Sequence, residues 1–240
     1  MARLAVIGGH GILGTEFAAD ASRLDIDTIH GPAALLDAGS HIVIQRHGLD
    51  EFVSAPLINH RAHVRALADA GCDRILAVAS VGSLRLDLPV GTFVAPDDFI
   101  ALHLGISFSE GDEGHQTPGF DPAWRRTVAN GWTNHTDVPL HDGGVYWQAI
   151  GPRFETQAEI RLIAGHADLV GMTIASECVL AGEIGLAYAS VCVVDNLANG
   201  VGEVPLTMDE FRSGAAANRA RLVEALDAVL PALGKEAEKP

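Results

Sequence analysis

The stretch Ile150-Gly-Pro-Arg-Phe-Glu-Thr-Gln-Ala-Glu-Ile-Arg-Leu-Ile-Ala-Gly-His-Ala-Asp-Leu-Val-Gly-Met-Thr173 decides the fold. Gly151 and Pro152 interrupt an apolar run, so a strand over Gly143–Ile150 should end there. Ala158, Ile160 and Ile163 stand near helical spacing, which predicts a helix over 155–163, and Asp168–Gly171 reads as a short strand. Strand, helix and strand in succession make an α/β unit. Met172 and Thr173 then fall at the carboxyl end of the second strand, where open α/β sheets hold ligands.

The same alternation extends both ways. Arg3–Ile7 is an apolar strand running into Gly8-Gly9-His10-Gly11-Ile12-Leu13-Gly14. Taken alone, Gly9-x-Gly11-x-x-Gly14 is the dinucleotide fingerprint, and it requires a helix from about Ile12 and an acid such as Asp25 or Asp27 closing a second strand. The other reading of this turn is a cradle of backbone N–H groups for a phosphate. His41–Gln45 is a strand followed by Arg46-His47-Gly48, and Pro56 should open a helix through about Ala70 with Leu57, Val64 and Leu67 on its apolar face. Gly71 caps that helix, and Arg74–Ser80 is a buried strand leading to Val81-Gly82-Ser83-Leu84. Gly105–Asp121 reads as a mobile polar loop, and Trp124–Trp132 as a short helix. Ile174–Glu183 is a helix, Tyr188–Val194 a buried strand ending in Asp195-Asn196-Leu197-Ala198, and Met208–Leu233 the last helix. Residues 1–233 form one α/β layered domain, with 234–240 a frayed, disordered tail.

Composition narrows the classes of function. The 240 residues carry 31 acidic and 16 basic side chains, a net charge of −15, which argues against nucleic acid as a partner. An anionic ligand would need a local cationic site against that field. No apolar run reaches the ~18 residues of a membrane span, and the start reads as a strand and turn rather than a signal peptide. Cys72, Cys178 and Cys192 are odd in number and sit in apolar segments, as core thiols of a reducing cytoplasm would. His60-x-x-His63 could offer two metal ligands but has no third nearby in sequence, so no metal site and no cofactor are expected.

Gly-Pro-Arg-Phe-Glu-Thr followed by Gly-Met-Thr, with Arg46-His47-Gly48, Asn59-His60-Arg61-Ala62 and Val81-Gly82-Ser83-Leu84 in order before them, resembles trimeric purine nucleoside phosphorylases and methylthioadenosine phosphorylases. The resemblance covers most of the chain and implies an α/β single domain with a mixed, barrel-like central sheet flanked by helices. It also implies a cytoplasmic homotrimer that splits a purine nucleoside with inorganic phosphate as co-substrate. On it, Gly9, His10, Arg46, His47, Ser80 in the turn at Ala79-Ser80, and Thr173 hold phosphate. An arginine fork suits phosphate oxygens, and a neighbouring histidine adds a charge-assisted bond. Val81, Gly82, Phe154, Met172, Ala198, Met208 and Phe211 line the nucleoside, and His115 reaches a neighbouring subunit's 5′ pocket. His10 stands where the family usually has a hydroxyl residue, and the segment between the first turn and Arg46 is shorter than usual.

Asn196 is the residue expected to act on the base. Methylthioadenosine-type members typically carry acids where Asn196 and Ala198 stand here. An amide can donate to a 6-oxo oxygen while its carbonyl accepts from N7–H. The pattern thus resembles 6-oxopurine and methylthioinosine phosphorylases, with Asp195 alternating away from the pocket. Met208 and Phe211, with no histidine beside them, suit a methylthio group. The alternatives are a methylthioadenosine phosphorylase, if Asp195 faces the base, a nucleoside-binding protein without turnover, and more distantly an NAD(P)-dependent oxidoreductase.

Overall fold

The apolar run after Arg3 forms β1 (Arg3–Gly8), and every residue from Leu4 to Gly8 is buried. Its side chains alternate between two cores. Ala5 and Ile7 pack with Leu67 and Leu180 on one face, while Leu4 and Val6 pack with Trp132 and Leu226 on the other. A strand apolar on both faces belongs inside a sheet covered on both sides. The computed structural model describes residues 3–109 and 111–236. Around β1 it builds an eleven-stranded mixed sheet with helices on both faces.

β2 (Ser22–Thr28) and β3 (Gly31–Asp37) form an antiparallel hairpin, and β3 pairs antiparallel with β4 (His41–Gln45). β4 runs parallel to β1, which runs parallel to β5 (Cys72–Ser83). β6 (Phe93–Ala95), β7 (Asp98–Ile100), β8 (Leu140–Asp142), β9 (Val145–Gln148), β10 (Leu169–Gly171) and β11 (Ala187–Leu197) complete the sheet. β5 changes neighbours along its length. Its first half lies between β1 and β11, but at Gly82 and Ser83 the β1 side is taken over by β10, which pairs antiparallel. Where β1 has ended and β10 has not yet arrived, the sheet opens. That opening is a topological switch point, the place where α/β sheets take ligands.

The helices are α1 (His60–Asp69), α2 (Pro122–His135), α3 (Gln157–Ile163), α4 (Ile174–Glu183) and α5 (Met208–Glu236). Local chemistry sets their ends. Asn59 accepts from the Ala62 N–H at 3.1 Å to start α1, and Asp121 accepts from the Trp124 N–H at 2.7 Å to start α2. Thr156 and Glu159 form a reciprocal capping box on α3.

Four readings need correction. Pro56 opens only a 3₁₀ turn (Ala55–Leu57), and the α-helix waits for the Asn59 cap; Leu57 is accordingly 75% exposed rather than on an apolar face. Ala79 and Ser80 lie inside β5, not in a turn. After the Gly8–Gly14 turn the chain makes further turns and then the β2–β3 hairpin, with Asp25 and Asp27 on β2. The helix that a dinucleotide site needs is absent there. The last helix extends through Glu236, so 234–236 are helical, and the rest of the expected tail lies outside the described residues.

Candidate active site

A cavity of about 290 Å³ occupies the opening beside β5. Its lining includes Gly9, His10, Arg46, His47, Ser80, Val81, Gly82, Phe154, Met172, Thr173, Asn196, Ala198, Met208 and Phe211. Residues more than two hundred positions apart thus meet in one place. Of the residues singled out by sequence only His115 is elsewhere, exposed in the loop before α2.

Arg46 leaves β4 and is buried, 1% exposed. Its Nε and Nη2 donate to the two carboxylate oxygens of Glu177 at 2.7 and 2.9 Å, and its Nη1 donates to the Val78 carbonyl at 2.6 Å. The Tyr188 hydroxyl adds a third bond to Glu177 at 2.8 Å. Burial pushes the Glu177 carboxyl up, but the adjacent guanidinium outweighs it and holds the group below its ordinary value. Burial likewise opposes charge on Arg46, and Glu177 outweighs that too. The pair is therefore ionised. Gly9 is tied to this geometry, since a Cβ there would stand 2.7 Å from Arg46 Nη1. The Gly-rich turn and the Arg-His pair, read separately in sequence, are one packed unit.

His47 is 5% exposed, and its Nδ1 lies 2.8 Å from the Val53 carbonyl. A carbonyl only accepts, so Nδ1 carries the proton and Nε2 is left with a lone pair. Burial pushes its pKa down to about 4. His10 packs against it with ring centroids 4.4 Å apart and the planes tilted by 59°, and burial lowers its pKa as well. Phe52 lies nearly parallel to His47 at 5.2 Å, and Phe211 meets His10 edge-on at 5.2 Å. Thr173 is the N-cap residue of α4, and its hydroxyl makes no capping bond. Its backbone N–H donates to the Tyr146 hydroxyl at 3.1 Å. Further along the first turn of α4 the Ser176 N–H donates to Gln148 Oε1 at 3.1 Å, so Thr173 offers the cavity its side chain while these N–H groups are held by the protein.

The two residues at the end of β11 part company. The β11–β5 register slips by one residue between Val194 and Asn196, so Asp195 is the bulged residue. Asp195 turns away, accepting from the Asn218 amide at 2.8 Å and from the Ser80 hydroxyl. Burial raises its pKa against both bonds. Asn196, 5% exposed, lines the cavity. One of its N–H groups donates to the Leu197 carbonyl at 2.9 Å, which leaves one N–H and Oδ1 for a ligand.

Among the lining residues that the sequence reading missed are Phe52, Ser54, Ala55, Pro152, Glu155, Val170, Gly171 and Leu206. Glu155 matters most, because burial raises its carboxyl pKa inside the cavity. At the mouth, the first turns of α5 contribute Met208 and Phe211. α5 touches β11 at Gly214, where a Cβ would overlap the Asp195 carbonyl.

Among the described residues no cluster of three or more His, Cys, Asp or Glu is placed to hold a metal, and no helix is long and apolar enough to cross a membrane. All three cysteines are free and buried.

An anion-favouring end and an apolar, amide-bearing end within one α/β cavity define a nucleoside- or nucleotide-handling protein. Sequence comparison sharpens this: residues 5–231 match the pattern of the Phosphorylase superfamily, and the chain belongs to that family. It is 37% identical over 202 residues to a probable 6-oxopurine nucleoside phosphorylase of Archaeoglobus fulgidus, covering 82% of this chain and 83% of that protein. It is 36% identical to a probable S-methyl-5′-thioinosine phosphorylase of Methanocaldococcus jannaschii, covering 86% and 83% respectively. In fold it is similar to methylthioadenosine phosphorylase from Schistosoma mansoni solved with adenine, with a TM-score of 0.86 at 24% identity over 98% of this chain and 93% of that one.

Proposed function

We propose that the protein cleaves the N-glycosidic bond of a 6-oxopurine nucleoside with inorganic phosphate, releasing the base and a pentose 1-phosphate. The observation that carries this reading is the division of labour at the end of β11, where Asn196 lines the cavity and Asp195 is bonded away from it. A 6-oxopurine offers O6 as an acceptor and, as the departing base, N7–H as a donor. The free N–H and Oδ1 of Asn196 match both. The N1–H of the same base suits an acceptor such as Glu155.

At the other end, Arg46, His47, His10, Ser80, Gly9 and Thr173 at the start of α4 hold phosphate. A phosphate oxygen forms the new bond to C1′ while the C1′–N9 bond breaks, its electron pair leaving with the purine. The purine gains a proton at N7, and the phosphate gives up its own to become a monoester dianion. Met172 and Phe154, with Val81 and Gly82, wall the sugar and base. Apolar walls exclude water, so phosphate rather than water captures the sugar cation. No metal or cofactor is needed, because the co-substrate is itself the nucleophile.

Met208, Phe211 and Leu206 form an apolar mouth that favours 5′-methylthioinosine over inosine. A second cavity of about 210 Å³, lined by Ile106, Leu104 and Ile150 and sharing Met172 with the first, is flanked by the exposed Leu57 and Leu102. Exposed apolar patches of this kind mark interfaces, which supports self-association; the proposed assembly is a cytoplasmic homotrimer in which His115 of one copy reaches a neighbour's pocket.

The test is base release from methylthioinosine, methylthioadenosine and inosine, with and without phosphate. Phosphate-dependent hypoxanthine, chiefly from methylthioinosine, is the expected result. Adenine as the main product would move the protein to the methylthioadenosine reading, and Asn196→Asp should shift preference that way by about 10- to 100-fold, the cost of one mismatched buried hydrogen bond. Wild-type selectivity left unmoved by that change would refute Asn196 as the base reader.

A further inference from the structure

The positive charge an anion site needs is cancelled before any anion arrives. Arg46 is the only Lys or Arg lining the cavity among the described residues, and both its Nε and Nη2 are committed to Glu177. The surrounding elements bring charges of both signs. From α5, Arg219 and Arg212 both act on His10; Arg219 also acts on Asp195, and Arg212 lies 3.7 Å from Asp209. Glu155 is a further acid in the same cavity, and His60 on α1 sits behind Glu177 at 3.6 Å, held neutral by burial. The loop over His47 contributes Phe52, an uncharged ring. The whole chain carries −15.

Against this stands a pair of imidazoles in contact, centroids 4.4 Å apart, both lining the cavity. The Val53 carbonyl fixes the His47 tautomer with Nε2 bare. A lone pair repels an unprotonated oxygen of phosphate or sulfate; only the imidazolium can keep the Val53 bond and donate to such an oxygen as well. We propose that the His10–His47 pair takes up one proton with each phosphate dianion that enters, so that the second positive charge of the site is created by binding. This rests on the phosphorolysis reading and deepens it. Two charged rings in contact would repel, which limits the uptake to one proton. In the empty site burial keeps both rings neutral near pH 7, and a dianion beside them reverses the balance.

Sulfate is the probe, because it stays a dianion across neutral pH and brings no proton of its own. Titration calorimetry of the intact protein with sulfate, in two buffers of different ionisation enthalpy, reads the protons taken up. Near one proton per sulfate is expected at pH 7. Where uptake is complete, affinity should fall about tenfold per unit rise in pH. The double variant His10→Asn/His47→Asn should bind sulfate without uptake; if it fails to fold, the wild-type pH slope alone decides. Sulfate bound with no proton, a flat pH profile, uptake that survives in the double variant, or no sulfate binding would each overturn the proposal. Phosphate-dependent base release, measured alongside, separates the two readings. Release with proton-free sulfate binding overturns only the coupling, and no release overturns both.

Discussion

At one end of the cavity Arg46 and Glu177 are each 1% exposed and joined by two bonds, with Tyr188 and Val78 fixing their outer edges. At the other end Met208 is 46% exposed, and it and Phe211 are carried on the first turns of α5. The first end is built from strand ends and a helix start inside the core. The second is built from side chains laid over the opening. On the proposed function, phosphate and base are met by buried side chains whose geometry cannot drift, and only the 5′ contact sits where a substitution costs the fold little.

The largest effect should come from breaking the buried pair. Glu177→Ala leaves Arg46 charged with only the Val78 carbonyl and no counter-ion, which costs about 3–5 kcal/mol of stability, readable as a fall in the urea midpoint; a loss under 1 kcal/mol would mean the Arg46 end is less rigid than its geometry implies. Acid is the next lever on that end. Burial holds the His60 pKa at about 4 against an ordinary 6.5, with Glu177 opposing and Arg46 assisting. Because the folded value is depressed, the stability it contributes is full above pH 6.5 and drains as pH falls toward 4. The unfolded chain binds the extra proton, so each pH unit in that window costs about 1.4 kcal/mol through His60 alone. His47 and His63 are pushed down to about 4 in the same way, so unfolding stability between pH 7 and 4 should fall more steeply than this, and His60→Phe should reduce the slope by about 1.4 kcal/mol per pH unit. The smallest change sharpens the contrast from the other side. Met208→Ala should leave stability within about 0.5 kcal/mol, yet reduce the preference for methylthioinosine over inosine by about tenfold. An unaltered ratio of kcat/KM values would remove Met208 from the 5′ contact.

Much of this was legible in the sequence because it is written locally. The apolar runs of β1, β4 and β5, the Gly151-Pro152 break and the α4 segment all announce themselves within ten residues. The cavity residues were found mainly through resemblance, since nothing local says that Gly9 and Phe211 meet. Glu177 was missed, though a signal existed. A glutamate in the middle of the apolar stretch Ile174–Ala181 is buried on both sides by its neighbours, and a buried carboxylate needs a cation. The start of α1 was misplaced because Pro56 gives a helix-start signal that the Asn59 cap overrides three residues later. The bulge at Asp195 has no local signature at all. It is visible only in the pairing of β11 with β5, with α5 lying against the bulged residue at Gly214.

Gly214 gives that register a mechanical meaning. It is the joint at which α5 bears on the Asp195 carbonyl with no room for a methyl group. Alanine there would act as a wedge between helix and strand, lifting Met208 and Phe211 off the mouth on one side of the joint. On the other side it would tilt the peptide that aims Asn196. One carbon atom, added at a position that touches no ligand, would blur both the reading of the base and the reading of the 5′ group.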